Sequence, residues 1–258
     1  MTEAVIQLRN VVVQVQGRVV LDIADLKIHA GERVAIVGAN GAGKSTLLRV
    51  LTGLVPCSGA VTVLNRAVAP ALGATGFRQL RAQVAQVMQG VHLVARLSAL
   101  DNVLIGCLAR TPGWRSCMRW HTAADQALAR AALQSVGLLG QADVRADQLS
   151  GGERQKVALA RLLMQQPSLI LADEPTAALD PTAAAEVCKL LVQAAQAATL
   201  ISVVHNPSLV PVLGQRVIGL QAGRVAFDTP AQLLDAARLE QLYRSTVSTA
   251  GRAQEQAV

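Results

Sequence analysis

A glycine-rich segment at Gly38–Thr46, GANGAGKST, constrains the fold of this chain more than any other feature. It follows the short apolar run Arg33–Val37 and precedes Ser45–Leu54, which is typical of a helix that ends at Gly53. Glycines let backbone N–H groups turn towards phosphate oxygens, and the helix adds the positive end of its dipole. A strand, a glycine loop and a helix in this order match the pattern GxxxxGK[ST] and predict an α/β nucleotide-binding domain. The predicted phosphate-binding residues are Gly38, Ala39, Asn40, Gly41, Ala42, Gly43, Lys44, Ser45 and Thr46.

Two residues of this loop and two carboxylates further along have distinct predicted roles. Lys44 would reach the β- and γ-phosphates of a nucleoside triphosphate, and Ser45 would ligate Mg²⁺. Asp173 and Glu174 follow four apolar residues, LILA, that are typical of a buried strand. A strand in this position would deliver Asp173 to Mg²⁺, directly or through water, and would place Glu174 to polarise the attacking water.

The remaining periodicity indicates strands that alternate with helices. Such alternation predicts a mostly parallel sheet. Strand signals disappear from about Leu93 to Ala146, so this part is predicted to be a helical insertion. Within it, a helix is expected at Ala123–Val136, with Leu128, Ala131, Ala132 and Val136 on one face. The other predicted strands and helices are Val5–Val15, Val19–Ile28, Gly152–Gln166, Leu169–Ala172, Pro181–Ala195 and Leu200–Val204.

Composition limits the classes of partner. The formal charge of +7 is compatible with nucleic acid, an anionic membrane surface or phosphate ligands, but no long Lys/Arg run exists that would indicate a nucleic-acid tail. No apolar stretch is long enough for a membrane-spanning helix, and the N-terminal MTEAVIQLRN lacks the pattern of a signal peptide. Four cysteines without metal-binding spacing predict reduced thiols. They are Cys57, Cys107, Cys117 and Cys188.

A second glycine motif, LSGGE, opens the predicted helix that begins near Gly152. Its residues are Leu149, Ser150, Gly151, Gly152 and Glu153. It forms a second anion-binding helix N-terminus, for which one chain with one triphosphate has no obvious use. Together with the following ERQKVALAR, the motif resembles the ATP-binding cassettes of the ABC family. In that family two cassettes pack head to tail, so the resemblance implies a homodimer in which Ser150 and Gly152 cap the γ-phosphate of the partner's ATP.

The resemblance covers residues from about 5 to about 245 and implies a P-loop NTPase fold. A mostly parallel α/β core would carry an N-terminal antiparallel β subdomain and a helical insertion at about residues 90–150. One ATPase domain would occupy residues 1–245, with a disordered tail at 246–258. The implied ligands are ATP and Mg²⁺.

Further site residues are implied by the same resemblance. Gln89 would reach Mg²⁺ or the attacking water, and His205 would contact the γ-phosphate. Val15 stands where the family usually has an aromatic residue that stacks on adenine, and valine offers no ring for stacking. The segment that would cross to the partner's site is Ala178, Leu179 and Asp180.

The insertion resembles that of phosphonate-importer ATPases, on the segments Leu93–Gly106 and Thr111–Arg115 and on LYRS at residues 242–245. This implies import of phosphonates or phosphite-like oxyanions, with two permease subunits, a periplasmic or lipid-anchored binding protein, and a position at the cytoplasmic face of the inner membrane. The permease would dock near Gln89–Trp120, where the aromatic and basic residues are Trp114, Trp120, Arg110, Arg115 and Arg119.

Two alternatives stay open. The same ATPase could serve import of phosphate, polar amino acids or metals. A soluble cassette that acts on nucleic acid or the ribosome is disfavoured, because the chain has no coiled coil, zinc module or second cassette, and we expect no nucleic-acid partner.

Overall fold

The computed structural model describes residues 3–88, 92–108, 121–177, 179–235 and 237–243. The chain divides into two compact units, one formed by Met1–Ala71 with Ile201–Val258 and the other by Leu72–Leu200. The strands are β1 (Ala4–Val15), β2 (Arg18–His29), β3 (Arg33–Val37), β4 (Ser58–Val63), β5 (Arg66–Ala67), β6 (Val84–Val87), β7 (Leu169–Asp173), β8 (Thr199–Val203), β9 (Arg216–Gln221) and β10 (Arg224–Pro230). The α-helices are α1 (Lys44–Leu51), α2 (Gly73–Gln83), α3 (Ala99–Leu104), α4 (Ala123–Ser135), α5 (Gly151–Gln165), α6 (Pro181–Ala194) and α7 (Val210–Leu213). Residues 237–243 are also helical.

The first unit contains an antiparallel sheet of order β2-β1-β4-β5. Its longest hairpin, β1–β2, turns at Gln16 and Gly17, which both have positive φ, as a two-residue hairpin turn of this hand requires. Apolar side chains alternate along both strands, and those of Ile6 and Leu8, for example, are fully buried. This sheet confirms the predicted N-terminal antiparallel subdomain.

The second sheet has six strands in the order β10-β9-β3-β8-β7-β6. The β3–β9 and β6–β7 pairs are parallel, and the terminal β9–β10 pair is antiparallel. Every residue of β7 and β8 is buried, as expected for central strands covered on both faces. Strands β7 and β8 are therefore central strands of this sheet, and the polar residues Asp173 and His205 lie at or just after their ends.

Helix α4 lies where the sequence predicts it, and of the four residues predicted to share one face, Ala132 and Val136 are buried while the other two are not. Leu128 is 48% exposed and Ala131 is also exposed, whereas Ala129, Ala132 and Leu133 are buried. The physical reason is that alanines lie on several sides of this helix, so two stripes offset by one residue fit the same helical spacing.

The described residues contain no helix that is both long and apolar enough to cross a membrane.

Candidate nucleotide site

The phosphate loop leaves the end of β3 in a conformation that its glycines permit. A Cβ atom on Gly38 would collide with the carbonyl oxygen of Leu220, so this position accepts only glycine without a backbone shift. Gly43 has a φ of 100°, which disfavours any L side chain, and it forms the N-cap of α1. No side chain caps this helix. A helix N-terminus without a side-chain cap is compatible with anion binding.

Lys44 is already folded into the loop. Its side chain is 5% exposed, and Nζ donates to the carbonyl oxygens of Gly38 at 2.7 Å and Ala39 at 3.0 Å. The ammonium group is thus held among the loop carbonyls at the N-terminus of α1. Ser45 and Thr46, the next two residues, are half-buried, while Asn40 and Gly41 form the exposed tip. The predicted phosphate-binding residues occupy one continuous loop.

Two residues that sequence reasoning missed support this loop. Gly223, in the β9–β10 turn, donates from its backbone N to the Ala42 carbonyl oxygen at 3.0 Å and accepts from Asp22 N at 2.8 Å. The hydroxyl of Tyr243 is buried and has no hydrogen-bond partner within the described part of the chain. Burial raises the pKa of Tyr243, and the backbone of Gly38 partly offsets that rise. No local pattern indicated either contact, since the turn dipeptide Ala222-Gly223 is not a typical hairpin signal.

His205 follows β8 close to the start of the loop. Val204 donates from N to the Ile36 carbonyl oxygen at 2.9 Å, so β8 ends beside the end of β3. His205 is exposed one residue further on, and Gly38 follows β3 in the same way. Val15 is 50% exposed at the end of the β1–β2 hairpin. Its exposure is compatible with an apolar contact to a base but supplies no ring.

The second unit presents the two carboxylates at the end of β7. Asp173 is 5% exposed, and within the described part of the chain its Oδ1 is buried without a hydrogen-bond partner. A buried carboxylate oxygen in this state is costly unless a cation compensates it, so Asp173 fits a Mg²⁺ ligand. Glu174 has a φ of 49°, a left-handed conformation that costs a non-glycine residue about 1–3 kcal/mol.

The LSGGE segment forms the N-terminus of α5. Ser150 is the N-cap: its Oγ accepts from Glu153 N at 3.3 Å, and the Glu153 carboxylate accepts from Ser150 N at 2.8 Å. These bonds to Ser150 hold the pKa of Glu153 below its ordinary value. Leu149 is buried, whereas Ser150 and Gly151 are exposed. The motif therefore presents a preformed, accessible helix N-terminus.

Gln155 ties this helix to the carboxylate segment within the second unit. Its side chain is buried, and Nε2 donates to the carbonyl oxygen of Pro175 at 2.8 Å. Pro175 directly follows Glu174, so the position of α5 is mechanically linked to that of the carboxylate. A glutamine inside an amphipathic helix gives no local signal for such a contact.

The family model for ABC transporters matches residues 21–177. The chain belongs to this family. Similar proteins include a hypophosphite import ATP-binding protein from Stutzerimonas stutzeri, 41% identical over 95% of this chain and 72% of that protein. A phosphonates import ATP-binding protein from Escherichia coli (strain K12) is 41% identical over 87% of this chain and 88% of its own length.

Solved structures give the same assignment of the fold. The cassette is similar to cbiO1 from Clostridium perfringens, part of the ABC transporter complex cbiONQ, with 26% identity, a TM-score of 0.78 and coverage of 92% of both chains. It is also similar to the dimeric post-hydrolysis state of the ATP-binding cassette MJ0796 bound to ADP and Pi, with 29% identity and a TM-score of 0.76 over 88% of this chain and 98% of that one. The predicted P-loop NTPase cassette is confirmed.

The segment predicted to cross to the partner's site, residues 178–180, ends directly before helix α6. Asp180 caps this helix, since its side chain accepts from Thr182 N at 3.0 Å and Ala183 N at 3.1 Å, and Leu179 is half-buried. Several other predictions fall outside the described residues: Gln89, Ala178, Arg110, Thr111–Arg115, Trp114, Arg119, Trp120, and the end of the LYRS segment with the tail at 246–258.

Proposed function

We propose that this cassette is the ATP-hydrolysing subunit of an importer for phosphonates or closely related phosphorus oxyanions. The observation that supports ATP binding is the N-terminus of α1, which no side chain caps, with Lys44 buried among the loop carbonyls. Two relatives of equal identity, one named for hypophosphite and one for phosphonates, support the cargo class. Import of phosphate, polar amino acids or metals is the alternative that the experiment below separates.

ATP would bind mainly through its negatively charged phosphates. The backbone N–H groups of the loop would surround the phosphates, and Lys44 would shift part of its hydrogen bonding from the Gly38 and Ala39 carbonyls to the β- and γ-phosphate oxygens. His205 would contact the γ-phosphate, and Gln89 would reach the same region. Ser45 and Asp173 would hold Mg²⁺, which neutralises charge on the phosphates when it is bound. Val15 would contact the adenine without stacking.

Hydrolysis requires a water aligned with the γ-phosphorus. Glu174 would accept a hydrogen bond from that water and take its proton as the new P–O bond forms, while the bond between the γ-phosphorus and the bridging oxygen breaks to give ADP and phosphate. The strained backbone of Glu174 supports this role, because it fixes the carboxylate at the end of β7. Lys44 would stabilise the charge that develops on the leaving oxygen.

The motif LSGGE would act on a second copy of the chain. Ser150 Oγ accepts a bond within its own helix, so its hydroxyl hydrogen can still be donated to a γ-phosphate held by the partner. Leu149, Gly151, Gly152 and Glu153 would shape this contact, and Ala178, Leu179 and Asp180 would cross to the partner's site. A similar cassette has been solved as a dimer, which supports two equivalent sites.

The ATPase dimer would work with two permease subunits and a substrate-binding protein, periplasmic or lipid-anchored, at the cytoplasmic face of the inner membrane. Closure of the dimer on ATP would drive the permease. Nucleic acid has no role in this scheme.

Growth on single phosphorus sources tests the cargo. A strain that lacks this gene should fail to grow on a phosphonate, on phosphite or on hypophosphite as sole phosphorus source, yet grow on phosphate. The wild-type gene should restore growth, and a Glu174→Gln copy should not. If the deletion strain grew normally on the phosphonate, on phosphite and on hypophosphite, the cargo assignment would be contradicted. Restoration by Glu174→Gln would contradict the need for hydrolysis.

A further inference from the structure

The fold of the second unit brings one cysteine next to a histidine and a carboxylate. Sγ of Cys107, a ring nitrogen of His121 and a carboxylate oxygen of Asp125 all lie within 4.8 Å of one another. Cys107 ends a 3₁₀ turn, Ile105–Cys107, whereas His121 and Asp125 lie on either side of Thr122, the N-cap of α4. Three groups that commonly ligate metals thus converge from two separate elements. None of them belongs to the nucleotide-binding motifs.

The separation of the two softer ligands suits a single tetrahedral ion. Sγ of Cys107 and Nδ1 of His121 are 3.7 Å apart. Zn–S and Zn–N bonds of ordinary length at a tetrahedral angle place sulfur and nitrogen about 3.6 Å apart. The pair therefore needs little movement to share one ion.

The third ligand is oriented by its neighbour. Oδ2 of Asp125 accepts from Thr122 N at 3.0 Å and from Thr122 Oγ1 at 2.7 Å, and Asp125 N donates to Thr122 Oγ1 at 3.0 Å. Metal-ligating carboxylates are usually fixed by hydrogen bonds of this kind. On the opposite side, the Cys107 thiol is 2% exposed and donates to the Leu104 carbonyl oxygen at 3.0 Å.

We propose that Cys107, His121 and Asp125 bind one divalent transition-metal ion of the Zn²⁺ type, with the fourth position open to water or another ligand. Sulfur and imidazole nitrogen select such ions over Mg²⁺ and Ca²⁺, which require oxygen ligands. A thiolate, a carboxylate and a neutral imidazole balance the double positive charge, so burial beside Cys107 leaves no net charge. The thiol proton passes to solvent when the sulfur–metal bond forms. The ion would join the 3₁₀ turn at Cys107 to the start of α4.

Cobalt substitution tests the site directly. The full chain, reduced, freed of metal by chelation and without nucleotide, is titrated with Co²⁺ and then with Zn²⁺. We expect one Co²⁺ per chain with intense tetrahedral visible bands and a thiolate-to-cobalt charge-transfer band, all removed by one equivalent of Zn²⁺. Cys107→Ser should abolish the charge-transfer band. Cys188→Ser is the matched control, because Cys188 is also buried but lies in α6, and its spectrum should stay unchanged.

Affinity measurements separate ligation from simple packing. His121→Ala should weaken Zn²⁺ binding at least about tenfold, and Thr122→Val should weaken it about 10–100-fold by releasing the carboxylate, with Thr122→Ser restoring it. Zn²⁺ should raise the Tm of the wild type and of Cys188→Ser but not of His121→Ala.

Three results would overturn the proposal. One is wild-type protein that gives no thiolate-to-cobalt band, and another is a band that survives Cys107→Ser. The third is unchanged Zn²⁺ affinity in His121→Ala, a half-buried position. If Cys107→Ser does not fold, His121→Ala decides the matter, with its far-UV circular dichroism compared with that of the wild type.

Discussion

The helix N-termini of the two glycine motifs, at α1 and at α5, differ in how their backbone N–H groups are capped. Helix α1 begins at Gly43 with no side-chain cap, and the Lys44 ammonium is bonded to the loop carbonyls of Gly38 and Ala39. Helix α5 begins at Ser150 with a complete capping box, in which Ser150 and Glu153 satisfy each other's backbone N–H groups. The first terminus is open to a phosphate in the isolated chain, whereas the second is already satisfied.

This difference explains how one sequence can have two helix N-termini that contact phosphate without competing for the same nucleotide. An uncapped terminus beside a lysine binds a polyanion strongly by itself. A terminus with its own carboxylate cap adds only the hydroxyl hydrogen of Ser150 and the N–H groups that the box leaves unused. The second should therefore act on a phosphate that is already held elsewhere, as the head-to-tail dimer proposes.

The largest effect is expected for Glu174→Gln. Loss of the base should slow hydrolysis by about 10²–10⁴-fold, while both helix N-termini stay intact. ATP-bound dimer should then accumulate, because closure no longer ends in product release. Gel filtration with and without ATP measures this, with Glu186→Gln, a surface partner of Lys156, as the control. A variant that hydrolyses slowly yet elutes only as monomer with ATP would contradict the in-trans role of LSGGE.

An experiment that mixes two variants distinguishes the roles of the two helix N-termini. Lys44→Ala should reduce hydrolysis by about 10²–10³-fold and also weaken ATP binding to the monomer, since it removes a preorganised cation. Ser150→Arg should abolish hydrolysis in the homodimer but spare ATP binding.

Each variant retains what the other lacks, so an equal mixture forms some dimers with one intact site. Such a mixture should recover roughly a quarter of the wild-type rate if the dimer is isologous and partners exchange freely. A mixture that stays as inactive as its two components would show that Ser150 serves its own chain's nucleotide. Equal loss of ATP binding in both variants would lead to the same conclusion.

A smaller effect is expected for Ser150→Ala. Removal of the cap should destabilise α5 by about 1 kcal/mol, seen as a lower urea midpoint with an unchanged slope. Ser150→Thr retains a capping oxygen and should behave like the wild type. Of the two termini compared, only that of α5 can lose stability in this way, because no side chain caps α1 at Gly43. An unchanged midpoint in Ser150→Ala would show that the capping box contributes nothing to the fold.

The sequence predicted those parts of the fold that local pattern determines. The bounds of β3 and β7 and of helices α4 to α6 were predicted to within one or two residues, because apolar runs and caps mark their ends. Strand β6, VAQV, was missed because it has only four residues, and α2 was hidden by Gly73 and Gly76. Strands β9 and β10 were missed because the turn between them, Ala222 and Gly223, is not one of the dipeptides that signal a hairpin, although both residues have positive φ.

In the candidate site, too, only the parts that consecutive residues form could be predicted from the sequence. The loop around Lys44 was predictable because its residues are consecutive in sequence. The contacts of Gln155 with Pro175 and of Tyr243 with Gly38 join distant residues, and no local pattern indicates them. The prediction that the cysteines have no metal-binding arrangement concerned sequence spacing alone. Folding brings Cys107 to a histidine fourteen positions away, which only the structure shows.

The smallest expected effect is the pH dependence of the Ser150–Glu153 box. The pKa of Glu153 is lowered in the folded chain by its bonds to Ser150, so its ionised form contributes stability. That contribution is complete above the ordinary glutamate pKa of about 4.3 and is lost as pH falls through the lower, folded pKa. The side chain is exposed, so the effect is small and salt-sensitive.

Glu153→Gln is the matched variant, because a glutamine at this position keeps the box without a charge. The wild type should unfold at a higher urea concentration than Glu153→Gln at neutral pH, and the two midpoints should converge at acidic pH. Carboxyl chemical shifts of Glu153 measured by NMR should titrate below those of exposed glutamates. A midpoint difference that persists below the folded pKa would mean that the carboxylate does not stabilise α5 through its charge. The distinction between the open and the self-satisfied terminus would then depend on the Ser150 hydroxyl alone.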